Sequence, residues 1–371
     1  MKKCFTLSLT LVAVVLSTLS ARAADWRFYG SARMMTWYES GDAPGFLNSH
    51  DNGSSDQRDS ALTWDLQDNS RIGAKVKHAH IEARFEYGTG VNLRRLYGSW
   101  KFAPGQELLI GQDYTPLGGI GYSNQVYAAD EGLSDAGTVD DGRRPMIQWR
   151  CRGFQLAFVT VQDAFVPDGY LAGSDIDVVV PKIEAHYRYE ADAFYLGAFG
   201  GYQTYRVEAD NAEVEPGVLR PGSIHVDAYV AGAEAGVTLG PVFVNGQLYW
   251  AQNAGAFGLA GLGFNQPVFA ANGLQDATTL GFGGVIGWTA NDRLSFEAGA
   301  GYTEDDNDAI GKAVGFVKKD KTAAYYIQAT VTLAPGVFVV PEIGYWDLFD
   351  DIAGNDEGDF WYAGAKWQID F

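Results

Sequence analysis

Basic side chains recur in four segments of the first hundred residues, each among apolar neighbours at alternating positions. These residues are Arg27, Arg33, Arg71, Lys75, Arg84, Arg95 and Lys101. Guanidinium and ammonium groups that converge on one wet surface attract anions and select among solutes by charge. On a lipid-facing surface each would cost about 2 to 4 kcal/mol, so this chemistry requires a polar interior.

The alternation in these segments predicts β-strands that have one apolar and one polar face. The apolar faces are Phe28, Ala32 and Met34; Ile72, Ala74 and Val76; Ile81, Ala83, Phe85 and Tyr87; and Leu96, Trp100 and Phe102. We estimate the height of each arginine by counting residues from the nearest turn, at about 3.3 Å per residue and a tilt of about 40°. Four arginines then lie roughly 15 to 20 Å above the turns. We therefore expect Arg33, Arg71, Arg84 and Arg95 to converge near mid-membrane. The alternative is a polar interior that simply collects arginine.

The last segment of the chain shows the clearest alternation. Trp361, Ala363, Ala365, Trp367, Ile369 and Phe371 share one face, and Tyr362, Lys366, Gln368 and Asp370 share the other. An apolar outward face that closes on a terminal aromatic residue predicts a transmembrane barrel strand. A soluble β-sandwich and a propeller are the alternatives, and no blade-length repeat supports a propeller.

Seven tight turns divide the chain into hairpins. We place them at Lys77-His78, Pro104-Gly105, Gly153, Ala191-Asp192, Gly240-Pro241, Asn291-Asp292 and Ala334-Pro335-Gly336. With one further strand at each end, 26–38 and 359–371, they predict 16 strands and both termini on the tight-turn side. Most connections at the other end are long and polar, as in bacterial barrels. The predicted fold is an all-β, antiparallel up-and-down transmembrane barrel of about 16 strands, whose interior is too wide for side chains to fill.

The N-terminus has the pattern of an export signal. Lys2 and Lys3 precede an apolar run that ends in Ala21-Arg22-Ala23, which predicts a signal peptide over 1–23 and a barrel domain over 24–371. A transmembrane anchor is the alternative, but the run is shorter than a spanning helix needs. Cleavage would leave Cys151 as the single cysteine, which excludes an internal disulfide.

Composition limits the partners. Removal of the signal peptide leaves 24 basic residues against 46 acidic ones, a formal charge of about −22. A surface this acidic repels nucleic acid. Beyond Ala24 no apolar stretch reaches helical spanning length, so a helical membrane protein is excluded. No spacing of residues indicates a cofactor or a catalytic metal.

Two motifs resemble the general porins of Gram-negative bacteria. The stretch 69–75, Asn-Ser-Arg-Ile-Gly-Ala-Lys, is similar to the second strand of that family, and 109–117 is similar to its fifth strand and the start of its third loop. The resemblance implies a homotrimer of 16-stranded barrels in the outer membrane, in contact with lipid. It also implies a third loop folded into the barrel and an assembly signal at Phe371 that the barrel assembly machinery recognises. Between about 160 and 320 only the alternation matches.

The longest loop, 115–143, carries five acids: Asp130, Glu131, Asp135, Asp140 and Asp141. If the loop folds inward, as the resemblance implies, these constriction-loop acids would face the arginines and produce a transverse field. A solvated outer loop is the alternative. Two other outer segments, 304–308 and 347–359, are rich in carboxylates that can bind Ca²⁺ or Mg²⁺, but neither has EF-hand spacing, which favours a solvated negative surface.

Three functions compete. We expect passive diffusion of small hydrophilic solutes and ions, and the alternative within the same class is a channel selective for small anions such as carboxylates. The third is a barrel hydrolase, which needs a nucleophile and a base within hydrogen-bond reach on the lipid side. The five histidines are scattered, and His186 alternates inward with Glu184 and Arg188, so the chain is expected not to be an enzyme.

Overall fold

The computed structural model describes residues 24–43, 60–118, 122–130, 132–170, 174–208, 222–270, 273–315 and 319–371. The proposed signal peptide, residues 1–23, lies outside the described residues, so its cleavage stays a prediction. Within the described part no helix is long and apolar enough to cross a membrane.

Sixteen antiparallel strands form one closed sheet, which confirms the predicted barrel. They are β1 (Asp25–Gly41), β2 (Ser60–Leu66 and Arg71–His78), β3 (Ile81–Gly88), β4 (Leu93–Ala103), β5 (Gln106–Tyr114), β6 (Arg143–Cys151), β7 (Phe154–Val159), β8 (Asp175–Asp177 and Lys182–Glu190), β9 (Phe194–Glu208), β10 (Ile224–Leu239), β11 (Val242–Gln252), β12 (Thr278–Asn291), β13 (Leu294–Asp306), β14 (Asp320–Ala334), β15 (Val337–Asp347) and β16 (Asp359–Asp370).

Two strands are interrupted. Both segments of β2 pair with β1, and both segments of β8 pair with β9, so each pair of segments is one barrel strand. In β2 the interruption spans 67–70, where the Ser70 hydroxyl donates to the Arg33 carbonyl at 3.1 Å and accepts the Arg33 N–H at 3.0 Å. The Ser70 side chain therefore replaces a missing backbone pair where β2 carries two extra residues relative to β1.

The barrel closes between β1 and β16. Their register runs from Ser31 opposite Asp370 to Gly41 opposite Phe360. Beyond that register the backbones of Gly30 and Phe371 exchange hydrogen bonds at 2.7 and 3.0 Å, and the Phe371 ring covers Gly30. Both ends of the described chain thus lie on the tight-turn side, as the sequence indicated.

Six of the seven predicted tight turns fall where the sequence placed them, within a residue. The first was predicted at Lys77-His78 and instead occupies Ala79 and His80, between β2 and β3. The error has a physical reason: Ala79 adopts a left-handed conformation (φ 51°) without Gly, Asn or Asp to indicate it. The opposite end carries the long loops, except for the short connection that contains the 3₁₀ turn Thr89–Val91.

The outer surface of the barrel is apolar. Trp367, Ile369 and Phe371 all face outward, and Phe371 is 70% exposed. Aromatic pairs stand beside the tight turns; they are Trp26–Phe28, Trp100–Phe102, Trp149–Phe154, Tyr189–Phe194 and Trp288–Phe296. Such a row of rings next to an apolar surface is the aromatic girdle of membrane barrels.

Short elements fill the outer loops. Loop L6, residues 253–277, contains helix α1 (Ala254–Phe257) and a hairpin of Val268–Ala270 and Gly273–Gln275, and loop L7, residues 307–319, contains helix α2 (Asp308–Val314). Phe257 and Ala256 of α1 are fully buried among inward residues of β9 to β11. L6 therefore folds into the barrel mouth.

Candidate functional site

The described residues of loop L3 (115–118, 122–130 and 132–142) lie inside the barrel and are held by glutamates of the barrel strands. Glu342 of β15 accepts the backbone N–H groups of Val126 and Tyr127 at 2.8 and 3.1 Å. Glu297 of β13 accepts the backbone and side-chain N–H groups of Asn124 at 2.8 and 2.6 Å. We call strands β13 to β16 the anchoring wall, because their buried carboxylates satisfy amides that L3 would otherwise leave unpaired.

The tip of L3 is a tight, strained turn. Ala128, Asp130 and Leu133 all have positive φ, which is uncommon for residues other than glycine. The strain is offset by contacts that converge on Asp130: its carboxylate accepts from Arg33, from Lys366 at 3.0 Å and from Asn69 at 2.9 Å. The tip is thereby fixed to β1, β2 and β16.

Next to this tip, arginines of β3 and β4 surround one carboxylate. Glu86 is 1% exposed and binds Arg84 at 2.6 Å, Arg94 at 3.0 Å and, more distantly, Arg95 at 4.0 Å. Tyr29 also donates to Glu86, at 2.8 Å. A buried carboxylate with several cationic partners holds their guanidinium groups in fixed positions. The cluster therefore presents a net positive, ordered surface to the lumen.

The basic surface continues on both sides of that cluster. Arg71 and Arg94 both donate to the Asn69 side-chain oxygen, at 3.1 and 2.8 Å. On the other side, Arg95 and Arg150 share Asp113, at 3.3 and 3.5 Å. We call the inward basic residues of β1 to β6 the basic wall; its members are Arg27, Arg33, Arg71, Lys75, Arg84, Arg94, Arg95 and Arg150.

Arg27 and Lys75 lie lower in the basic wall. They are cross-strand partners, and Lys75 is in turn opposite Arg84. The Lys75 ammonium is 5.6 Å from the centre of the Tyr29 ring, and the Arg84 guanidinium is 5.0 Å from it. Cations over an aromatic face are held electrostatically, so Tyr29 positions both side chains. This row links the mid-barrel cluster to the tight-turn rim.

The comparisons with known proteins bear on the fold. No protein-family model and no curated protein sequence matches the chain. Among solved structures, the outer membrane channel DcaP of Acinetobacter baumannii matches with a TM-score of 0.66 and 13% identity over 95% of this chain and 99% of that one. The chain has the outer-membrane porin fold. An anion-selective porin from Comamonas acidovorans matches with a TM-score of 0.56, 14% identity and coverages of 94% and 100%.

A third match, OmpF of Salmonella typhi solved as a complex with daunomycin, has a TM-score of 0.58 and 12% identity over 93% of this chain and 97% of that one. The TM-scores establish the porin fold. Because the identities are this low, the function has to be argued from the lumen itself.

Within this porin fold the five predicted loop acids do not act as one group, which corrects the sequence interpretation. Asp130 contacts Arg33 of the basic wall. Asp141 instead binds Lys182 at 2.7 Å and Arg144 at 3.0 Å, and Asp140 accepts the Gly142 N–H at 2.8 Å. Asp135 adjoins Ala136 and Gly137, which pack on β12 and β13. Glu131 lies outside the described residues.

The reason is the path of the loop. L3 runs from β8 along the anchoring wall to β2 and then returns, so only its turning point meets the basic wall. Its base is fixed by the buried Lys182, which also contacts Glu184 at 3.5 Å and the Phe257 carbonyl at 2.9 Å. The pKa of Asp141 is raised, first by burial and then by Glu184, and Lys182 and Arg144 oppose that shift.

Sequence reasoning missed several residues of the site for local reasons. Arg94 was not assigned inward because a β-bulge places it and Arg95 on the same face: Glu86 pairs with Arg95 and Tyr87 with Leu93. Gln67 and Asn69 lie in the interruption of β2 and keep the inward parity of Arg71, so extension of the alternation could have found them as well. Glu86, Glu297 and Glu342 lie at regular inward positions, so alternation could have found them.

Metal ligands and the position of His186 bear on two other functional classes. The described residues hold no group of three or more His, Cys, Asp or Glu side chains that could bind a metal ion. His186 points inward and its Nε2 lies 2.9 Å from Glu234 Oε1. This histidine therefore faces the lumen, whereas a barrel lipid hydrolase needs its base on the lipid side.

Proposed function

We propose that the chain is an outer-membrane porin through which small hydrophilic solutes and ions diffuse passively. The observation that carries this proposal is the division of the lumen: L3 is bound to the anchoring wall, and the opposite side is an ordered row of basic side chains. A cavity of about 700 Å³ on that side is lined by Arg95, Arg150, Arg188, Asp113 and Gln155 among others. Polar lining of this kind favours hydrated solutes over apolar ones.

The chemistry of transport follows from fixed charge. At the L3 tip Asp130 is ion-paired with Arg33 and Lys366, so a solute passes beside this contact. There the other cations of the basic wall set a field across the lumen. Such a field orients dipolar solutes and water without any bond being made or broken. Catalysis, a cofactor and a metal have no role in this proposal.

A second candidate, a channel selective for small anions such as carboxylates, rests on a separate observation. Around the constriction Arg33, Arg71, Arg84, Arg94, Arg95, Arg150 and Lys366 outnumber Glu86, Asp113 and Asp130, and guanidinium groups bind carboxylates in a bidentate manner. The Comamonas porin of the same fold is described as anion-selective, which supports this candidate.

The remaining expectations concern the cell. Three expectations follow from the proposed location: export by the 1–23 signal peptide, recognition of Phe371 by the barrel assembly machinery, and insertion among outer-membrane lipids. The apolar outer surface with its aromatic pairs supports insertion among lipids. We also expect a homotrimer. The connection that would reach a neighbouring subunit is short here, at residues 89–92, so other contacts would hold the trimer.

Planar-bilayer recordings test the proposal. The purified protein should open steps of ohmic conductance, and reversal potentials in a salt gradient would separate a weakly selective pore from an anion channel. Swelling of liposomes in neutral sugars and in dicarboxylates of similar size gives the same distinction for solutes. Protein that inserts into bilayers but conducts no ions and passes no sugar would contradict the porin assignment.

A further inference from the structure

Two aspartates face each other at the outer end of the barrel. Asp305 of β13 is the direct cross-strand partner of Asp320 of β14. Both side chains point inward, and the residues are only 1% and 5% exposed. Like charges directly opposite each other destabilise a sheet, and burial increases the cost. This pair therefore needs a compensating group.

The two carboxylates converge on the same point. Asp305 Oδ1 accepts the Thr279 hydroxyl, and Asp320 Oδ2 accepts the Phe264 backbone N–H at 2.8 Å. A Cβ at Gly263 would lie 3.1 Å from Asp320 Oδ1 and closer still to Asp305 Oδ2. The second oxygen of each aspartate is thus turned toward the side-chain-free face of Gly263. Among the described residues Asp320 Oδ1 has no hydrogen-bond partner.

The two lysines that flank Asp320 are Lys319 and Lys321, and Lys321 lies opposite Glu304. Lys319 binds Glu304 at 2.6 Å and Asp306 at 3.3 Å, on the other face of the strand. Further acids lie nearby. Burial, followed by repulsion from Asp320 and Asp351, raises the pKa of Glu357 in the last loop to about 7, which shows that the surroundings of Asp320 are negative.

One more oxygen is close by. Asn307 is fully buried, its amide nitrogen donates to the Asp305 carbonyl at 3.4 Å, and its Oδ1 has no partner in the described structure. The surroundings are therefore rich in oxygen acceptors and poor in donors, which is the chemistry that a hard cation requires.

We propose that Asp305 and Asp320 bind a divalent cation, Ca²⁺ or Mg²⁺, at the outer end of β13 and β14. Two carboxylates are fewer than a dedicated calcium loop supplies, so the ion keeps several waters and the affinity is modest, with Kd about 10⁻⁴ to 10⁻³ M. The bound ion fastens L6, through Gly263 and Phe264, to the barrel wall. Asp305 of the acidic segment 304–308 thus has a role that is independent of transport.

Calorimetric titration tests the site directly. Full-length protein folded in detergent micelles, stripped with a chelator, is titrated with CaCl₂ and with MgCl₂ near pH 7.5. We expect one site in wild type and binding weakened by about ten-fold or more in D305N and in D320N, each of which is isosteric and removes one charged ligand. D306N is the matched control, because it removes the same charge one residue away on the other face, and its affinity should equal that of wild type.

Thermal unfolding gives a second measurement. Added CaCl₂ should raise the apparent Tm of wild type and D306N and leave that of D305N and D320N unchanged. With chelator present, D320N should melt above wild type, because the repulsion is gone. Binding that survives in both D305N and D320N would overturn the site. The site would also be overturned if wild type bound neither cation and its free energy of unfolding fell from pH 6 to pH 8. That pH dependence is expected of two aspartates that share a proton.

Discussion

The basic wall and the anchoring wall use the same residue type in opposite ways. Glu86, in the basic wall, accepts Arg84 and Arg94, whose guanidinium groups it holds toward the lumen. Glu342, in the anchoring wall, accepts two backbone amides of L3 and the hydroxyl of Tyr362. The comparison teaches that an inward glutamate with side-chain partners orders charge toward the lumen, whereas one with backbone partners fixes a loop.

The difference also explains why the pore is asymmetric. Backbone amides in the barrel interior must find acceptors, and carboxylates that accept N–H bonds form stronger hydrogen bonds than neutral oxygens do. The buried carboxylates of the anchoring wall are therefore used to hold L3. In the proposed function, selectivity is set by the side that L3 does not cover.

The largest expected effect is at the seam where the two walls join, between β1 and β16. Deletion of Phe371 removes the last backbone pair with Gly30 and the ring that covers Gly30. We expect export to continue and the yield of assembled barrel in outer-membrane fractions to fall by about ten-fold. The reason is that the deletion removes both backbone pairing at the closing seam and a large apolar side chain. Heat-modifiable migration in gels measures folded barrel.

Phe349→Ala is the matched control for that deletion, since it removes an exposed aromatic ring from an outer loop. Its yield should equal that of wild type. Equal yields with and without Phe371 would remove the assembly role from this residue.

The next effect concerns the anchor of L3. Glu342→Ala leaves the N–H groups of Val126 and Tyr127 without their acceptor, which costs about 3 to 6 kcal/mol at 1.5 to 3 kcal/mol per charged hydrogen bond. We expect a lower apparent Tm and noisier, larger single-channel conductance, because L3 no longer stays on the anchoring wall. Glu190→Gln, on a solvent-exposed side chain near a tight turn, should change neither quantity. Unchanged conductance noise in Glu342→Ala would show that L3 is held by its other contacts.

Sequence reasoning reached the fold better than the site, for a physical reason. Alternation and turn chemistry repeat along every strand, so sixteen strands follow even when one turn, at Ala79, lacks its usual residues. The site depends in part on an exception to that repetition, the bulge that turns Arg94 inward. The path of L3 depends on contacts with strands far away in the sequence, which is why Asp130 and Asp141 could not be separated beforehand.

The selectivity of the basic wall can be changed without unfolding it. R71Q/R95Q removes two inward charges but leaves Glu86 paired with Arg84 and Arg94, and Asp113 paired with Arg150. We expect weak selectivity in wild type and a shift toward cations of about two-fold in the permeability ratio, since nearby fixed charges set potentials of a few kT. Reversal potentials in a potassium chloride gradient give the ratio.

R206Q/K319Q is the control pair, because Arg206 and Lys319 lie at the outer rim with acidic partners of their own. It removes the same charge far from the constriction and should leave the reversal potential unchanged. Equal shifts in the two double variants would attribute selectivity to total charge, which the acidic loops dominate, rather than to the basic wall.

The smallest effect is the dependence of that shift on salt. The Debye length is about 10 Å at 0.1 M and about 3 Å at 1 M ionic strength. If Arg71 and Arg95 act on ions that pass within several ångströms, the difference in reversal potential between wild type and R71Q/R95Q should be clear at a mean concentration of 0.1 M and should shrink at 1 M. Charges that contact the permeating ion directly are screened less, so a difference that persists undiminished at 1 M would mean that the arginines bind anions in passage rather than repel cations at a distance. That result would favour the anion-selective channel over the general pore, and it would show that the basic wall acts by contact.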